Sequence, residues 1–536
     1  MPILPDTDRC ARRLALAFLV LAPPAYGLLG LALGMDANWD LRNYHWYNAY
    51  ALLTGRIGVD LLPAQMPTFY NPLLDVPFFL LADRLPAPLA GVLWGTAQGL
   101  NLSLLFLLAL ATLRLGTPRQ RVALAAALAL MGGLGGGTLG LLGTTFHDNM
   151  VSLGVLGALL LVVGGLPALL DGPAGPALRR AAAAGLPAGI AMGLKNPTVI
   201  YAVGLCLAFL ILPAPPFRRL WLAFVFGLGV LAGLALSGGF WMAHLWHDYG
   251  NPVFPHMNHI FKSPYAAISD YVNAAFFPAS ALERLFFPAF FTADPLKVGE
   301  VPFFDLRVAI LFVLVPVAAL AAAAGGGRRA GALADPAATR FLLGAAAVTY
   351  TLWVAMFCIY RYLVPLEMLA PLAIVMAAGL LPLRRGAALA LAGALLVLAQ
   401  ATARPADWGR VPWSARWVEV AVPPIEDPQD TMVLMAGYWA ISHVIPAFPP
   451  RIPFVRIQSN FLQPDSVGNG HLALLKDKVG AHRGRFLMLS TIPDTPGAAK
   501  AAALLGLRVD TGDCRVVANN LGEPLNLCAV HRATVE

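Results

Sequence analysis

Residues 14–34 read Leu14-Ala15-Leu16-Ala17-Phe18-Leu19-Val20-Leu21-Ala22-Pro23-Pro24-Ala25-Tyr26-Gly27-Leu28-Leu29-Gly30-Leu31-Ala32-Leu33-Gly34, and Met35-Asp36-Ala37-Asn38-Trp39-Asp40-Leu41-Arg42-Asn43-Tyr44-His45-Trp46-Tyr47 follows at once. A helix rising about 1.5 Å per residue needs about 20 apolar residues to cross a hydrocarbon core about 30 Å thick, and the first stretch supplies them. The second is dense in carboxylates, amides and aromatics, groups that belong where water and a polar substrate meet lipid. The apolar run is long, carries Pro23-Pro24 and has no small-residue cleavage site. It reads as a retained first span and not as a signal peptide.

Working outward, the rest of the chain is of the same kind. Of 536 residues, 58% are hydrophobic and only 12% charged, the composition of an integral membrane protein. Arg12-Arg13, then Arg114 with Arg119 and Arg121, Arg179-Arg180, Arg218-Arg219, Arg328-Arg329 and Arg384-Arg385 lie in short breaks between apolar runs, and the positive-inside rule puts those breaks in the cytoplasm. Spans read between them fall near 14–34, 87–113, 121–143, 150–170, 181–195, 197–213, 220–240, 303–324, 337–358, 363–383 and 386–403. The expectation is an all-α polytopic bundle of about eleven crossings, N-terminus cytoplasmic and C-terminus outside. The net charge of +8 then reports orientation and contact with anionic membrane lipids, and nucleic acid is not an expected partner.

With that topology the long polar segments fall on the outer side: loops 35–86 and 241–302, the turn 144–149, the hinge Lys195-Asn196-Pro197, the turn at Tyr360 and everything after about 404. The domain plan is a transmembrane part, 1–404, and a small soluble extracytoplasmic α/β domain, 405–536. In the latter, Thr431-Met432-Val433-Leu434-Met435 and Arg485-Phe486-Leu487-Met488-Leu489 have strand length, and 498–505 reads as a short helix closed by Gly506. Cys514 and Cys528 are spaced as across a hairpin or short loop, so in an oxidising compartment a disulfide is expected there. Cys10, Cys206 and Cys358 form no metal or redox pattern.

No soluble-enzyme motif is present. Gly132-Gly133-Leu134-Gly135-Gly136-Gly137 lacks the preceding strand and the following Lys-Ser/Thr of a phosphate loop, and close helix packing accounts for it. His244, His247, His256 and His259 with Asp248 have no recognised zinc spacing, and Pro252, Pro255 and Pro264 mark an irregular interfacial loop. What remains is a set of ionisable and polar residues at the outer ends of different spans: Asp36, Asp40, Arg42, Asn43, Tyr44 and His45 after the first, then His147 and Asp148, Lys195, and Arg361, Tyr362 and Glu367. Charges at membrane depth are costly and pair with one another or with a ligand.

An acidic residue in a long first outer loop, a second polar cluster in the next outer turn, Arg361-Tyr362-Leu363-Val364-Pro365 late in the bundle and a terminal outer domain together resemble the GT-C superfamily of membrane glycosyltransferases. The segment Gly250-Asn251-Pro252-Val253-Phe254-Pro255, with Asn258 and Phe261-Lys262-Ser263-Pro264-Tyr265, is similar to a stretch in bacterial members. The resemblance implies a bacterial inner-membrane enzyme with a periplasmic C-terminal domain, moving a sugar from a polyprenyl-phosphate donor to a glycan, lipid or protein acceptor with inversion. Asp36 and Asp40 stand four apart instead of adjacent as in some relatives, which leaves open which is the base; Asp40 is preferred.

The chemistry agrees. Displacing a phosphate from an anomeric carbon asks for a base on the acceptor hydroxyl and cations on the departing phosphate. Asp40, with Asp36 as substitute, fits the first role; Arg361 and Lys195 fit the second. His147 and Asp148 orient the acceptor, or join Asp40 around a divalent cation, Mg or Mn. Two other classes use similar residues: a lipid-linked glycan transporter or flippase, and an extracytoplasmic phosphotransferase or ligase.

Overall fold

The computed structural model describes residues 4, 8–324, 332–459, 461–462, 469–492 and 495–533; the basic pair Arg328-Arg329 lies outside them. The chain folds as two compact units, each assembled from separated stretches: 1–33, 92–239 and 273–408 form the first, and 34–91, 240–272 and 409–536 the second.

The first unit is helical. Across the chain, eight helices among the described residues are long and apolar enough to cross a membrane: Arg9–Leu33, Ala87–Thr112, Asp148–Asp171, Pro216–Tyr249, Arg307–Ala324, Pro336–Met356, Tyr360–Ala378 and Arg385–Thr402. This is a multi-pass membrane protein. The other three expected spans also coincide with helices, but of a different character. Pro118–Gly133 has only 16 residues, Ala174–Leu194 carries Arg179 and Arg180, and Asn196–Ile211 is shorter than a full crossing.

Arg9–Leu33 continues through Pro23 and Pro24. Proline costs a helix its ladder bond one turn back, yet here the loss coincides with a close crossing. A Cβ on Gly99 would stand 2.6 Å from the Pro23 carbonyl oxygen, and one on Gly95 would stand 2.9 Å from Gly27 Cα. Only glycine admits that approach.

Basic residues close the helix ends at one edge of this unit. Arg218 donates from Nε to Leu169 O at 2.7 Å and from Nη2 to Gly172 O at 2.7 Å, covering the C-terminal carbonyls of Asp148–Asp171. Arg114 pairs with Asp335 at 2.9 Å and Arg119 with Asp8 at 3.0 Å. The other end of Asp148–Asp171 lies about 35 Å away, given 24 residues at about 1.5 Å each.

The second unit is built on a six-stranded sheet. Beside a two-stranded antiparallel pair, β1 (Met35–Asp36) and β2 (Arg410–Val411), its strands in chain order are β3 (Val420–Ala421), β4 (Thr431–Met435), β5 (Phe454–Arg456), β6 (Arg485–Thr491), β7 (Leu507–Asn519) and β8 (Leu525–Arg532), arranged β3-β7-β8-β6-β4-β5. β4 pairs in parallel with β5 and β6, and the remaining pairs are antiparallel. All of β4 is buried because both faces of the sheet are covered, which is why it reads as an unbroken apolar run. Met432 and Leu434 pack on one side with Leu475, Val479, Trp241 and Phe254, while Val433 and Met435 pack on the other with Tyr44, Tyr47 and Ile445. β4 and β6 match the expected strands, and the helix Thr495–Ala503 precedes Gly506.

The last stretch of the sheet unit begins at 409. Stretches 34–91 and 240–272 are structural members of the sheet unit; they take in the expected outer loop 35–86 and the first part of the expected outer loop 241–302, whose residues 273–302 belong to the helical unit. Leu61 N–H donates to Phe454 O at 2.8 Å and Arg456 N–H to Leu61 O at 2.9 Å, so Leu61 covers the β5 edge. Arg56 and Asp60 pair at 2.6 Å, and Asp60 also accepts from Phe454 N–H at 2.8 Å. Cys514 and Cys528 are joined by a disulfide between facing positions of β7 and β8.

Candidate functional site

The helical unit concentrates charge at the end opposite its arginine-capped edge. The turn before Asp148–Asp171 is shaped by the helix Ala87–Thr112, whose Trp94, Gln98 and Asn101 recur at i, i+4 and i+7 and so share a face. Trp94 Nε1–H and Gln98 Nε2–H donate to Thr144 O at 3.0 and 3.1 Å, Gly143 N–H donates to Gln98 Oε1 at 2.7 Å, and Asn101 Nδ2–H donates to Asn149 O at 2.7 Å. His147 is left-handed, with φ +67°, a conformation that costs a non-glycine residue energy and is held by its surroundings. Burial, then the charge of Lys195, hold its imidazole well below the usual pKa.

Asp148 follows as the first residue of its helix, where a carboxylate is favoured by the dipole. Lys195 ends the Ala174–Leu194 helix, and Pro197 prevents that helix from continuing. Its Nζ donates to Asp148 Oδ1 and to Phe146 O, both at 2.7 Å, and lies 5.4 Å from the Tyr362 ring centre. Arg361, in the turn before Val364–Ala378, stacks over Phe146 at 4.1 Å and Trp408 at 5.2 Å. Its guanidinium reaches Asp148 Oδ2 at 3.9 Å and Glu300 Oε1 at 3.5 Å. Asp148 is 3% exposed, Arg361 12% and Lys195 18%, against 44% for Glu300. Two cations thus share one buried carboxylate, and a looser carboxylate stands at the rim.

The geometry suits an anion. The 3.5 Å contact of Arg361 with half-exposed Glu300 lies at the rim, where an anion would compete for it, while buried Asp148 stays as counter-charge. A divalent cation fits Asp148 poorly, because Lys195 occupies one of its oxygens and Arg361 faces the other, whereas hard ions gather several unshared oxygens.

Glu367 lies apart from this cluster, fully buried in a second network. It accepts from Gly137 N–H at 3.1 Å and from Thr138 N–H and Oγ1–H at 2.8 and 2.7 Å, and Arg307 Nη1 stands 3.9 Å from it. Asp305 accepts from Gly136 N–H at 2.8 Å and from Arg307 Nη1–H at 3.0 Å. The glycine run therefore has two causes. A Cβ on Gly132 would meet Met368 O at 2.5 Å, which is helix packing, and one on Gly135 would meet Glu367 Oε1 at 1.9 Å and Arg307 Nη1 at 2.1 Å.

The residues after the first span belong to the sheet unit. Asp36, 1% exposed, receives both Asn38 Nδ2–H bonds, at 2.7 and 2.8 Å, while its backbone pairs with Arg410 and its carbonyl accepts from Trp417. Leu41–His45 makes one π-helical turn, a wide turn common at functional sites. Within it Asn43 donates to Ala64 O at 3.0 Å, and His45 Nδ1 lies 2.6 Å from Asp75 Oδ1. Asp40 is half-buried and accepts from Tyr44 Oη–H at 3.2 Å. Arg42 is partly buried with the Asp36 charge nearby, and its carbonyl lies 3.1 Å from His443 Nδ1. The histidines of 240–272 pair locally, His244 and His247 with Asp248 and His259 with Asp270, and His256 stacks on Tyr70.

Phe146, Trp408, Glu300, Asp75, Asp305 and Arg307 were not singled out from sequence. The Trp94-Gln98-Asn101 stripe carried a readable signal, since polar residues at helical spacing inside an apolar span mark a buried polar face. No family model, curated protein or solved structure matches the chain. Fold and site define a class: a multi-pass membrane protein with an α/β sheet unit and an anion-suited cation pair at one end of its helices.

Proposed function

We propose that the chain is a GT-C-like, polyprenyl-phosphate-sugar-dependent glycosyltransferase of a bacterial inner membrane, crossing about eleven times with its sheet unit outside. The Lys195–Arg361 pair around Asp148 carries this reading. Nucleotide sugars are cytoplasmic, so transfer on the outer face needs a donor that reaches that face, and a lipid-phosphate sugar meets the requirement.

As the anomeric C–O bond to phosphate breaks, the phosphate goes from a singly charged diester to a doubly charged monoester. Cations that bind the second state better than the first stabilise the transition state selectively. The acceptor oxygen bonds to the anomeric carbon from the opposite side, and its proton passes to a carboxylate. Asp36 is 1% exposed and holds Asn38 on both oxygens, whereas Asp40 is only half-buried. Asp40 is therefore the base in this scheme, and Arg42, Asn43, Tyr44, His45 and His147 shape substrate contacts.

The test uses the full chain in lipid nanodiscs with a polyprenyl-phosphate hexose and cell-envelope glycan as acceptor, following acceptor-dependent release of polyprenyl phosphate. Asp40→Asn lowers the rate by at least about a hundredfold, the usual worth of a general base, while Asp36→Asn acts mainly on stability. Normal turnover by Asp40→Asn overturns the assignment of the base. Absence of release with any such donor overturns the reaction.

A further inference from the structure

The sheet unit holds a cavity of about 60 Å³ that the transfer chemistry does not use. Its floor is buried and includes Tyr47, Asn48 and His471, while His244 and Tyr249 are half-exposed at its mouth. A site that takes a whole benzene ring has about 150 Å³, and one water-sized atom needs about 10–15 Å³. The space admits a group of roughly four to six heavy atoms, not a sugar ring.

The charge of the lining narrows the chemistry. Asp60 is the carboxylate there, and Arg56 Nε–H and Nη2–H, Tyr47 Oη–H and Phe454 N–H all donate to it. Arg56, whose charge Asp60 balances, also donates to Pro450 O and Ile452 O. His471 Nδ1–H donates to Tyr265 O at 2.7 Å, and burial pushes its pKa down to about 4, so the ring is neutral at physiological pH and presents Nε2 as an acceptor. Neither a phosphate nor an ammonium finds a counter-charge.

The polar atoms instead match an amide. Asn48 Nδ2–H donates to Pro67 O at 2.9 Å, which leaves Oδ1 as the acceptor on that side chain. Thr68 Oγ1 accepts from Ala64 N–H at 3.1 Å and keeps its own proton to donate. Asn48 and His471 thus offer acceptors for an amide N–H, and Thr68 offers a donor for an amide carbonyl. Ala51, Leu61, Leu62 and Leu245 supply an apolar wall for a methyl group. Trp241 is fixed by its Nε1–H bond to Phe69 O at 2.8 Å, and Tyr249 stands at the mouth as a face for a ring.

We infer that this cavity seats the acetamido group of an N-acetylhexosamine, with the sugar ring outside against Tyr249 and His244. The four heavy atoms of the acetamido group fill the space, its methyl meets the leucines, and its N–H and C=O meet the three polar side chains. The site is a recognition subsite for an amino-sugar-containing glycan, and it stands whether or not the protein transfers sugars.

Saturation-transfer NMR on the full chain in detergent micelles tests this with N,N′-diacetylchitobiose, cellobiose and inorganic phosphate as probes. Chitobiose should show its strongest saturation at the acetyl methyls, cellobiose should bind at least tenfold more weakly, and phosphate should not compete. Ala51→Leu fills the space and should abolish the methyl signal while the melting temperature is retained. Should that variant fail to fold, Thr68→Val, nearly isosteric, should weaken chitobiose several-fold and leave the residual cellobiose signal unchanged. Equal binding of the two disaccharides, no saturation from chitobiose, or an unchanged signal in the filled variant overturns the inference.

Discussion

Lys195 Nζ lies 2.7 Å from Asp148 Oδ1, joining the end of one helix to the first residue of another with both groups largely out of water. Such a pair is costly to form and more costly to halve, because removing one partner strands the other charge. It also fixes where Lys195 points.

This gives a way to separate stability from chemistry. Lys195→Met leaves Asp148 with only the 3.9 Å Arg361 contact and should destabilise by about 3 kcal/mol, read as a lower unfolding temperature in scanning fluorimetry. Lys195→Met with Asp148→Asn should recover most of that loss. Neither variant should regain polyprenyl-phosphate release, which falls about a hundredfold or more when a transition-state donor is lost. Recovery of transfer in the double variant would reduce Lys195 to a structural role.

Glu300 makes the opposite prediction. Its carboxylate stands 3.5 Å from Arg361 and is the most exposed of the cluster, so it competes with an incoming phosphate and holds little energy itself. Glu300→Gln should tighten inhibition by a non-hydrolysable lipid phosphonate by about two- to fivefold, consistent with a surface-pair interaction of under 1 kcal/mol. Weaker inhibition in that variant would place the phosphate elsewhere.

Much of the fold could be read from sequence because apolar runs and basic breaks are strong signals. The expected spans fall on helices, and β4 and β6 lie where short buried runs appeared. Three of the expected spans were less readable, since a 16-residue helix and one bearing two arginines do not announce whether they cross. For the expected outer loop 35–86, ties to the sheet have no local signal because they are long-range: a bridge at Leu61, and Arg56 with Asp60 reaching backbone some 390 positions later. Asp148, Lys195 and Arg361 each stand at a break in an apolar run, the signal that picked them out. Glu367 stands near the start of its expected span, but its partners are the Gly137 and Thr138 amides, the Thr138 hydroxyl and Arg307, which no spacing reveals.

That second network has its own test. A methyl group at Gly135 would stand 1.9 Å from Glu367 Oε1 and displace it from Arg307. Gly135→Ala and Glu367→Gln should therefore destabilise alike, by about 3–5 kcal/mol, the cost of breaking a buried charged network. Gly393→Ala, where an added Cβ meets open space, is the control and should leave the melting temperature unchanged or slightly raised. A tolerated Gly135→Ala would show that the network yields.

The disulfide spans 14 positions, and in the loop-entropy account closing such a loop is worth about 3 kcal/mol. Cys514→Ser with Cys528→Ser should lower the unfolding temperature of the sheet unit, and reducing agent should do the same to the natural chain but not to the double variant. An effect of reductant on the double variant would locate its action at another cysteine.

Stability should also fall in mild acid, with a sign that follows from two buried histidines. Burial holds His443 and His471 each at about 4, below the unfolded value of 6.5. Between those values the unfolded chain binds protons that the folded chain refuses, so stability rises with pH there and is flat above about 7. Acidifying from 7 towards 4 should cost on the order of 3 kcal/mol for each histidine, followed as denaturant midpoints of the sheet unit at successive pH values. His443→Gln with His471→Gln should flatten the profile across that window, whereas an unchanged slope would assign the acid sensitivity to carboxylates.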